Sequence, residues 1–338
     1  MELDTKTLLE ALPLPTLLLD ENRSVVAFNE TARFSLGVDL IGADLSSSFR
    51  SPALIDAVDQ VLGHGGTVVC EMEHRPKPSR TYQVTVSKVT LERSRHVFLV
   101  FMDLTSMHHM EDVRSTFVAN VSHELRSPLT AVMGAVEALE GPAGDSSEER
   151  LRMLSLIGQE ALRMKNLIDD LLSLSRVEAK EYIRPNQLVN VGTLLDIARD
   201  RMHNRASQND STIVISIAED LPKIHGVEEE ILEVFDNLMS NAIKYGAPGS
   251  EMGVMATETA KGICVSVHNT GAPIPSEHLP RLTERFYRVE KSRSRKLEGT
   301  GLGLSIVKHI VNHHGGTLEI ESTEQKGTTF SVFFPIAE

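Results

Sequence analysis

Two cysteines in 338 residues, Cys70 and Cys264, are too few and too far apart for a disulfide framework or a metal-finger spacing. Both read as small buried hydrophobes in a reducing compartment. Long apolar runs are missing as well. A membrane helix needs about 20 apolar residues, whereas the best N-terminal stretch, Leu9 to Leu19, is cut by Pro13 and Pro15. Glu2 and Asp4 spoil a signal-peptide start. The expectation is a cytoplasmic protein, with membrane association entering only through segments upstream of Met1. Positive charge is in deficit: 34 Lys and Arg against 47 Asp and Glu give a net charge of −13. No overall field draws in a phosphate backbone, so nucleic acid is not an expected partner. The hydrophobic share of 41% is that of a globular protein, and the length suits two or three domains with separate cores.

Residues 1–104 mix short β-rich runs with polar punctuation. Thr16 to Asp20, the turn-like Glu21-Asn22-Arg23 and Ser24 to Phe28 read as a hairpin, Asn29 to Gly37 as a helix. Thr67 to Met72, Arg80 to Val89 and Arg95 to Met102 read as three further strands. Two strands, short helices and three strands, followed by Asp103-Leu104-Thr105, resemble a PAS sensor domain. His64 and His74 fall in polar, loop-like stretches and are not read as haem ligands. The expected state is a relay or dimerisation module with an unknown ligand or none.

The next segment is helical from about Ser106 to Glu140. Val118, Val121, Leu125, Pro128, Val132 and Leu139, with Val136 nearby, draw one apolar stripe at alternating spacings of three and four. His123 lies two residues from both Val121 and Leu125, which at about 100° per residue turns its imidazole to the opposite, solvent side. A histidine held off the core beside Glu124 can be kept neutral on one nitrogen, oriented through the other, and made a nucleophile. A lone His-Glu pair is more often a plain surface pair. A zinc-peptidase reading fails because no second histidine follows at the required spacing. Pro128 interrupts the backbone ladder, so a kink is expected there. After Gly141 to Ser147, Leu154, Ile157, Ala161, Met164, Ile168 and Leu171 form a heptad seam. Two helices joined by a short loop make a hairpin, and pairing with a second copy as a four-helix bundle covers both stripes.

The run Phe117-Val-Ala-Asn-Val-Ser-His123-Glu124-Leu-Arg-Ser127-Pro-Leu-Thr130 closely resembles the phosphoacceptor box of bacterial sensor histidine kinases, and Met164 to Arg176 resembles the second helix of their dimerisation domain. The resemblance implies that His123 receives a phosphoryl group, that Glu124 takes the proton from its other nitrogen, and that Ser127, where the family more often has threonine, positions water for dephosphorylating a response regulator.

From about Val189 helices and strands interleave without a regular βαβ repeat, which fits a layered α/β sandwich. Asn237, Asn241 and Lys244 share one face of a helix running from about Val227 to Tyr245, and two amides with an ammonium can serve Mg²⁺ and phosphates. Gly299-Thr300-Gly301-Leu302-Gly303 leads a helix read as reaching His314; glycines let the backbone approach a polyphosphate and helix-start amides offer donors. His309, His313 and His314 are read as cations capping that helix rather than as metal ligands. These segments resemble the asparagine box and second glycine box of the kinase's Bergerat-type ATP-binding domain, and Glu284 to Arg288 resembles its phenylalanine box. The resemblance implies Asn241 as the Mg²⁺ ligand, with Asn237, Lys244, Tyr245, Gly271, Phe286, Arg288, Gly299, Thr300, Gly301, Leu302 and Gly303 at the nucleotide. Lys291, Arg293, Arg295 and Lys296 continue a basic, lid-like segment. The first glycine box departs from the family's Asp-x-Gly-x-Gly: it reads Asn269-Thr270-Gly271-Ala272-Pro273. The position of Asn269 is where the family's aspartate reads adenine.

The expected fold is thus multidomain α+β: a PAS domain over 1–104, a signalling helix and dimerisation hairpin over 105–185, and an ATP-binding domain over 186–338. The expected protein is a homodimeric histidine kinase of the phosphate-regulon sensor type, using ATP and Mg²⁺ and partnered by a cognate response regulator. The alternative, motivated by Asn269, is a non-catalytic signalling scaffold that binds nucleotide poorly.

Overall fold

The computed structural model describes residues 5–37, 41–74, 79–91, 94–141, 145–180, 184–260, 262–289 and 299–337. The chain forms two compact units, Met1–Thr116 and Phe117–Glu338. The first contains β1 (Thr16–Leu19), β2 (Val25–Phe28), β3 (Thr67–His74), β4 (Arg80–Leu91) and β5 (Ser94–Asp103) in one antiparallel sheet of order β2-β1-β5-β4-β3. Its helices are α1 (Thr5–Glu10), α2 (Glu30–Leu36), α3 (Leu45–Ser48) and α4 (Pro52–His64). Tyr82, Val84 and Val86 alternate inward on β4, as Val97, Leu99 and Phe101 do on β5, and this face is covered by Leu36, Leu54 and Val58 of the helices and by Phe49, just past α3.

Asn29 is the polar anchor of this unit. Fully buried, it accepts from the Thr16 and Ala32 backbone N–H groups at 3.0 and 2.9 Å and donates to the carbonyls of Leu9, Leu12 and Leu14. It thereby caps α2 and fixes the entry of β1 with one side chain. At the exit, Asp103 accepts from the Thr105 N–H, and the Thr105 hydroxyl accepts from the Thr81 N–H, so the Asp-x-Thr signature ties β4 and β5 to the following helix. The loop-like reading of His64 and His74 is corrected. His64 ends α4 and His74 ends β3, with the His74 ring against Phe49 and Tyr82 and its Nε2 2.9 Å from the Leu36 carbonyl. A nitrogen engaged in this way is a poor metal ligand.

Helix α5 (Thr105–Glu140) runs unbroken through Pro128, and α6 (Ser147–Lys180) follows it. Beyond them, α7 (Val191–Gln208), α8 (Glu228–Tyr245) and α9 (Gly303–His313) lie over a sheet of β7 (Thr212–Ile217), β9 (Glu251–Thr259), β10 (Gly262–Asn269), β11 (Thr317–Thr323) and β12 (Gly327–Phe334). A short pair, β6 (Leu188–Val189) with β8 (Ile224–His225), precedes α8. The sheet order is β11-β12-β10-β9-β7, antiparallel except for the β7–β9 pair. This is the expected α/β sandwich; α7 is an addition to the sequence expectation. Its core joins Val234, Phe235 and Leu238 of α8, Ile306 and Ile310 of α9, and Val254, Val265 and Val332 of the strands.

The seam read along α6 is only one of its two apolar faces. In the single chain Leu154 and Ile168 stay 52% and 45% exposed, whereas Leu167, Leu174 and Val177 are almost fully buried within the core shared with α8 and α9. Among the described residues no helix is long and apolar enough to cross a membrane.

Candidate active site

His123 is exposed on α5, as the stripe argument requires, while Pro128 is buried on the opposite side. An open cavity of about 520 Å³ is lined by His123, Arg126, Ser127, Thr130 and Ala131. These positions follow one helix face, so Ser127 stands one turn from His123 on the same surface. Glu124 points elsewhere: its Oε2 accepts from Arg163 Nη2 of α6 at 3.3 Å. The sequence reading paired Glu124 with the histidine alone and did not single out Arg163.

On α8, Asn237, Asn241 and Lys244 fall on one half-buried face, opposite Phe235 and Met239 in the core. Asn237 donates to the Glu233 carbonyl at 3.0 Å, and its Oδ1 faces the start of α9, where a Cβ on Gly303 would lie 2.5 Å from it. Lys244 reaches the other end of the same loop, next to Gly299, and donates to the Tyr245 hydroxyl at 2.9 Å. The expected glycine-led helix starts later than predicted: α9 begins at Gly303, and Gly299 to Leu302 form the approach to it. The reason is Gly301, whose φ of +75° is left-handed and cannot continue a right-handed helix. A side chain there would also strike the backbone of Phe286, 2.9 Å from its Cα. Phe286 itself has a φ of +62°, a costly conformation for a bulky residue, held by its N–H donating to the Gly301 carbonyl at 2.9 Å. Asn269 ends β10 and is 3% exposed, flanked by Met252 on β9 and Thr328 on β12. Gly271 bridges to Gly246 just beyond Tyr245, and Arg288 is half-buried. Thus α8, the end of β10, the Phe286 turn and the glycine loop converge, with backbone amides at a helix N-terminus, one ammonium and two amide side chains. That donor set fits a polyphosphate with a hard divalent cation. Lys291, Arg293, Arg295 and Lys296 lie outside the described residues.

A row of polar contacts ties this unit to α6. The Thr300 hydroxyl donates to Asp170 Oδ2 at 2.6 Å, Ser173 donates to Glu233 Oε2 at 2.7 Å, and Arg285 pairs with Glu178. Burial pushes the carboxyls of Asp170, Glu233 and Asp236 above their ordinary values; hydrogen bonds from Thr300, Ser173 and Arg201 respectively pull each part of the way back. Phe286 packs on Phe117 of α5 with ring centroids 5.8 Å apart. Sequence reading missed Asp170, Ser173 and Glu233; the signal available was a polar residue on the Leu167-Leu174-Val177 face.

The reading of three capping cations on α9 is corrected. His314 is buried, donates through Nδ1 to the Ile310 carbonyl at 2.8 Å and accepts the Val227 N–H at Nε2 at 3.1 Å, while burial lowers its pKa. It is a neutral linker between α9 and α8. His313 Nδ1 meets Glu230 at 2.8 Å, and His309 approaches Glu178. Glu230, His313 and His314 are close enough to suggest a metal, but both His314 nitrogens are committed to backbone groups.

The fold and site together define a nucleotide-binding α/β domain joined to a helical hairpin that presents a histidine. The His Kinase A (phospho-acceptor) domain model matches residues 113–180, and the model for histidine kinase-, DNA gyrase B- and HSP90-like ATPases matches residues 226–338. Phosphate regulon sensor protein PhoR of Pseudomonas aeruginosa is 40% identical over 250 residues, 74% of this chain and 56% of that protein. Sensor histidine kinase WalK of Bacillus subtilis is 35% identical over 245 residues, 71% of this chain and 39% of that protein. The chain therefore spans about half the length of such relatives or less. Histidine kinase ThkA, solved in complex with response regulator protein TrrA, shares the fold at a TM-score of 0.53 and 19% identity, with 99% of each chain covered. The chain belongs to the bacterial sensor histidine kinases of two-component systems.

Proposed function

We propose that this chain autophosphorylates His123 from Mg·ATP and passes the phosphoryl group to an aspartate of a response regulator. The observation that carries the proposal is the pairing of an exposed histidine in an open groove with a glycine loop at a helix N-terminus in the same compact unit. ATP supplies the transferred phosphoryl group. Amides of Gly299 to Gly303, with Lys244 and Arg288, would hold the phosphates, Asn241 and Asn237 would offer oxygens to Mg²⁺, Tyr245 and Phe286 would flank the nucleotide, and a His123 nitrogen attacks the γ-phosphorus in line as its bond to the bridging oxygen breaks and ADP leaves. Glu124 takes the proton from the second imidazole nitrogen through Oε1, the carboxylate oxygen not bonded to Arg163. The exposed Leu154 and Ile168 support a homodimeric four-helix bundle, and the His123 groove is the docking face for the regulator. The sheet order and Asp-x-Thr exit of the first unit support a PAS-like module over 1–104, ahead of a hairpin over 105–185 and an ATP-binding domain over 186–338. Incubation with γ-labelled ATP and Mg²⁺ tests the reading. Acid-labile, base-stable label on the protein is expected, and its absence returns the scaffold alternative.

Ser127→Ala is expected to keep autophosphorylation and lose regulator dephosphorylation, because the hydroxyl one turn from His123 positions the attacking water. Equal dephosphorylation by both proteins removes Ser127 from that role. At Asn269 a neutral amide replaces the family's carboxylate, a loss of about 1 kcal/mol or roughly fivefold in affinity, and an amide can flip to meet a guanine oxygen. Asn269→Asp should tighten ATP and sharpen rejection of GTP in a competition titration. An unchanged ATP preference would show that the amide does not read the base.

A further inference from the structure

The contact between α6 and the glycine loop leads one step further, and it rests on the nucleotide reading above. Thr300 carries the one side-chain hydroxyl of the Gly299–Gly303 loop, and that hydroxyl is used twice. It donates to Asp170 Oδ2 at 2.6 Å and accepts the Leu302 N–H at 3.2 Å, which fixes the approach to α9. An internal carboxylate therefore stands beside a loop and helix N-terminus whose amides favour an anion. Acidic groups lie near it: Asp169 on the same helix and Glu233 on α8. An incoming polyphosphate brings several more negative charges into this corner, where water screens them less than in bulk solvent.

We infer that Asp170 is a positioning residue that competes with the phosphates of the nucleotide: its carboxylate takes the Thr300 hydroxyl and holds the glycine loop on α6, and this docking and polyphosphate binding oppose one another. Burial already disfavours the Asp170 carboxylate, so a second anion adds to an existing cost. Ser173 and Glu233, next along the same face, hold α6 to α8 without touching the loop. They separate loosened docking in general from relief of competition at Thr300. Nucleotide affinity is thereby linked to the Asp170–Thr300 contact: binding weakens that contact, and its release strengthens binding.

The test is a titration of the full chain and its variants with a non-hydrolysable ATP analogue and Mg²⁺. Asp170→Asn keeps an acceptor of the same shape but removes the charge and should bind the analogue roughly tenfold more tightly than wild type. Asp170→Ala should also bind more tightly, while Ser173→Ala should match wild type. A purely supporting role predicts the opposite sign, because a loop that has lost its brace binds worse. Equal or weaker affinity in Asp170→Asn and Asp170→Ala overturns the inference, as does an equal gain in Ser173→Ala. Failure of the analogue to bind wild type and all variants overturns the nucleotide site itself, an outcome distinct from binding without a gain.

Discussion

Replacing His123 by alanine is expected to reduce protein-bound phosphoryl label to background while leaving helix content and dimerisation unchanged. The side chain is exposed on α5, lines the open groove and lies opposite buried Pro128, so its removal leaves no cavity in the core. Alanine is the best helix former, and the substitution costs the helix nothing. The chemistry, by contrast, has no substitute, because the attacking nitrogen is gone rather than misplaced. The variant should therefore still bind Mg·ATP with unchanged affinity and turn over none of it onto itself. Gel autoradiography beside circular dichroism and size-exclusion measurements checks both halves. Label persisting at the wild-type level would remove His123 from the reaction.

The second large effect is expected at Gly301, where the defect is geometric. Its φ of +75° and the Phe286 backbone 2.9 Å from where a Cβ would stand leave an alanine two ways out, both costly. Either the loop leaves the left-handed conformation, or Phe286, itself at +62°, is pushed away and loses its hydrogen bond to the Gly301 carbonyl. Strain of this kind costs about 1–3 kcal/mol per residue, so the affinity for Mg·ATP should fall by roughly 100-fold in Gly301→Ala. Leu302 of the same loop is fully buried in the core with α8 and α9, so the midpoint of denaturation should fall as well. Undiminished nucleotide affinity would show that the glycine loop does not form the phosphate site.

Patterns that belong to a single element were legible in the sequence. Strands β4 and β5, the exposed side of His123 opposite Pro128 and the shared face of Asn237, Asn241 and Lys244 appear where the sequence placed them, whereas Val118 and Val136 of the stripe are 58% and 42% exposed in the single chain. The α/β layering beyond Val189 followed from interleaved patterns. Helix α7 was harder to read because its apolar residues are diluted among Asp, Arg, His and Asn. A single stripe explains the spacing along α6 and points to a dimer face alone, whereas Leu167, Leu174 and Val177 form a second face buried with α8 and α9. Proximity in sequence to a helix end suggests a capping cation at His314, whereas its burial and the Val227 N–H at the start of α8 make it neutral. Arg163 and Asp170 acquire meaning only through partners 39 and 130 residues away, a separation that no local pattern encodes.

The most direct test of the account is to incubate the purified chain with Mg·ATP and map the phosphorylated residue by electron-transfer fragmentation at neutral pH, where phosphohistidine survives. The account predicts a single phosphoryl group on the imidazole of His123, lost after brief acid treatment and absent from the His123→Ala variant. Phosphate on a serine, threonine or any other histidine, or an unmodified protein under conditions where Mg·ATP binds, would contradict it.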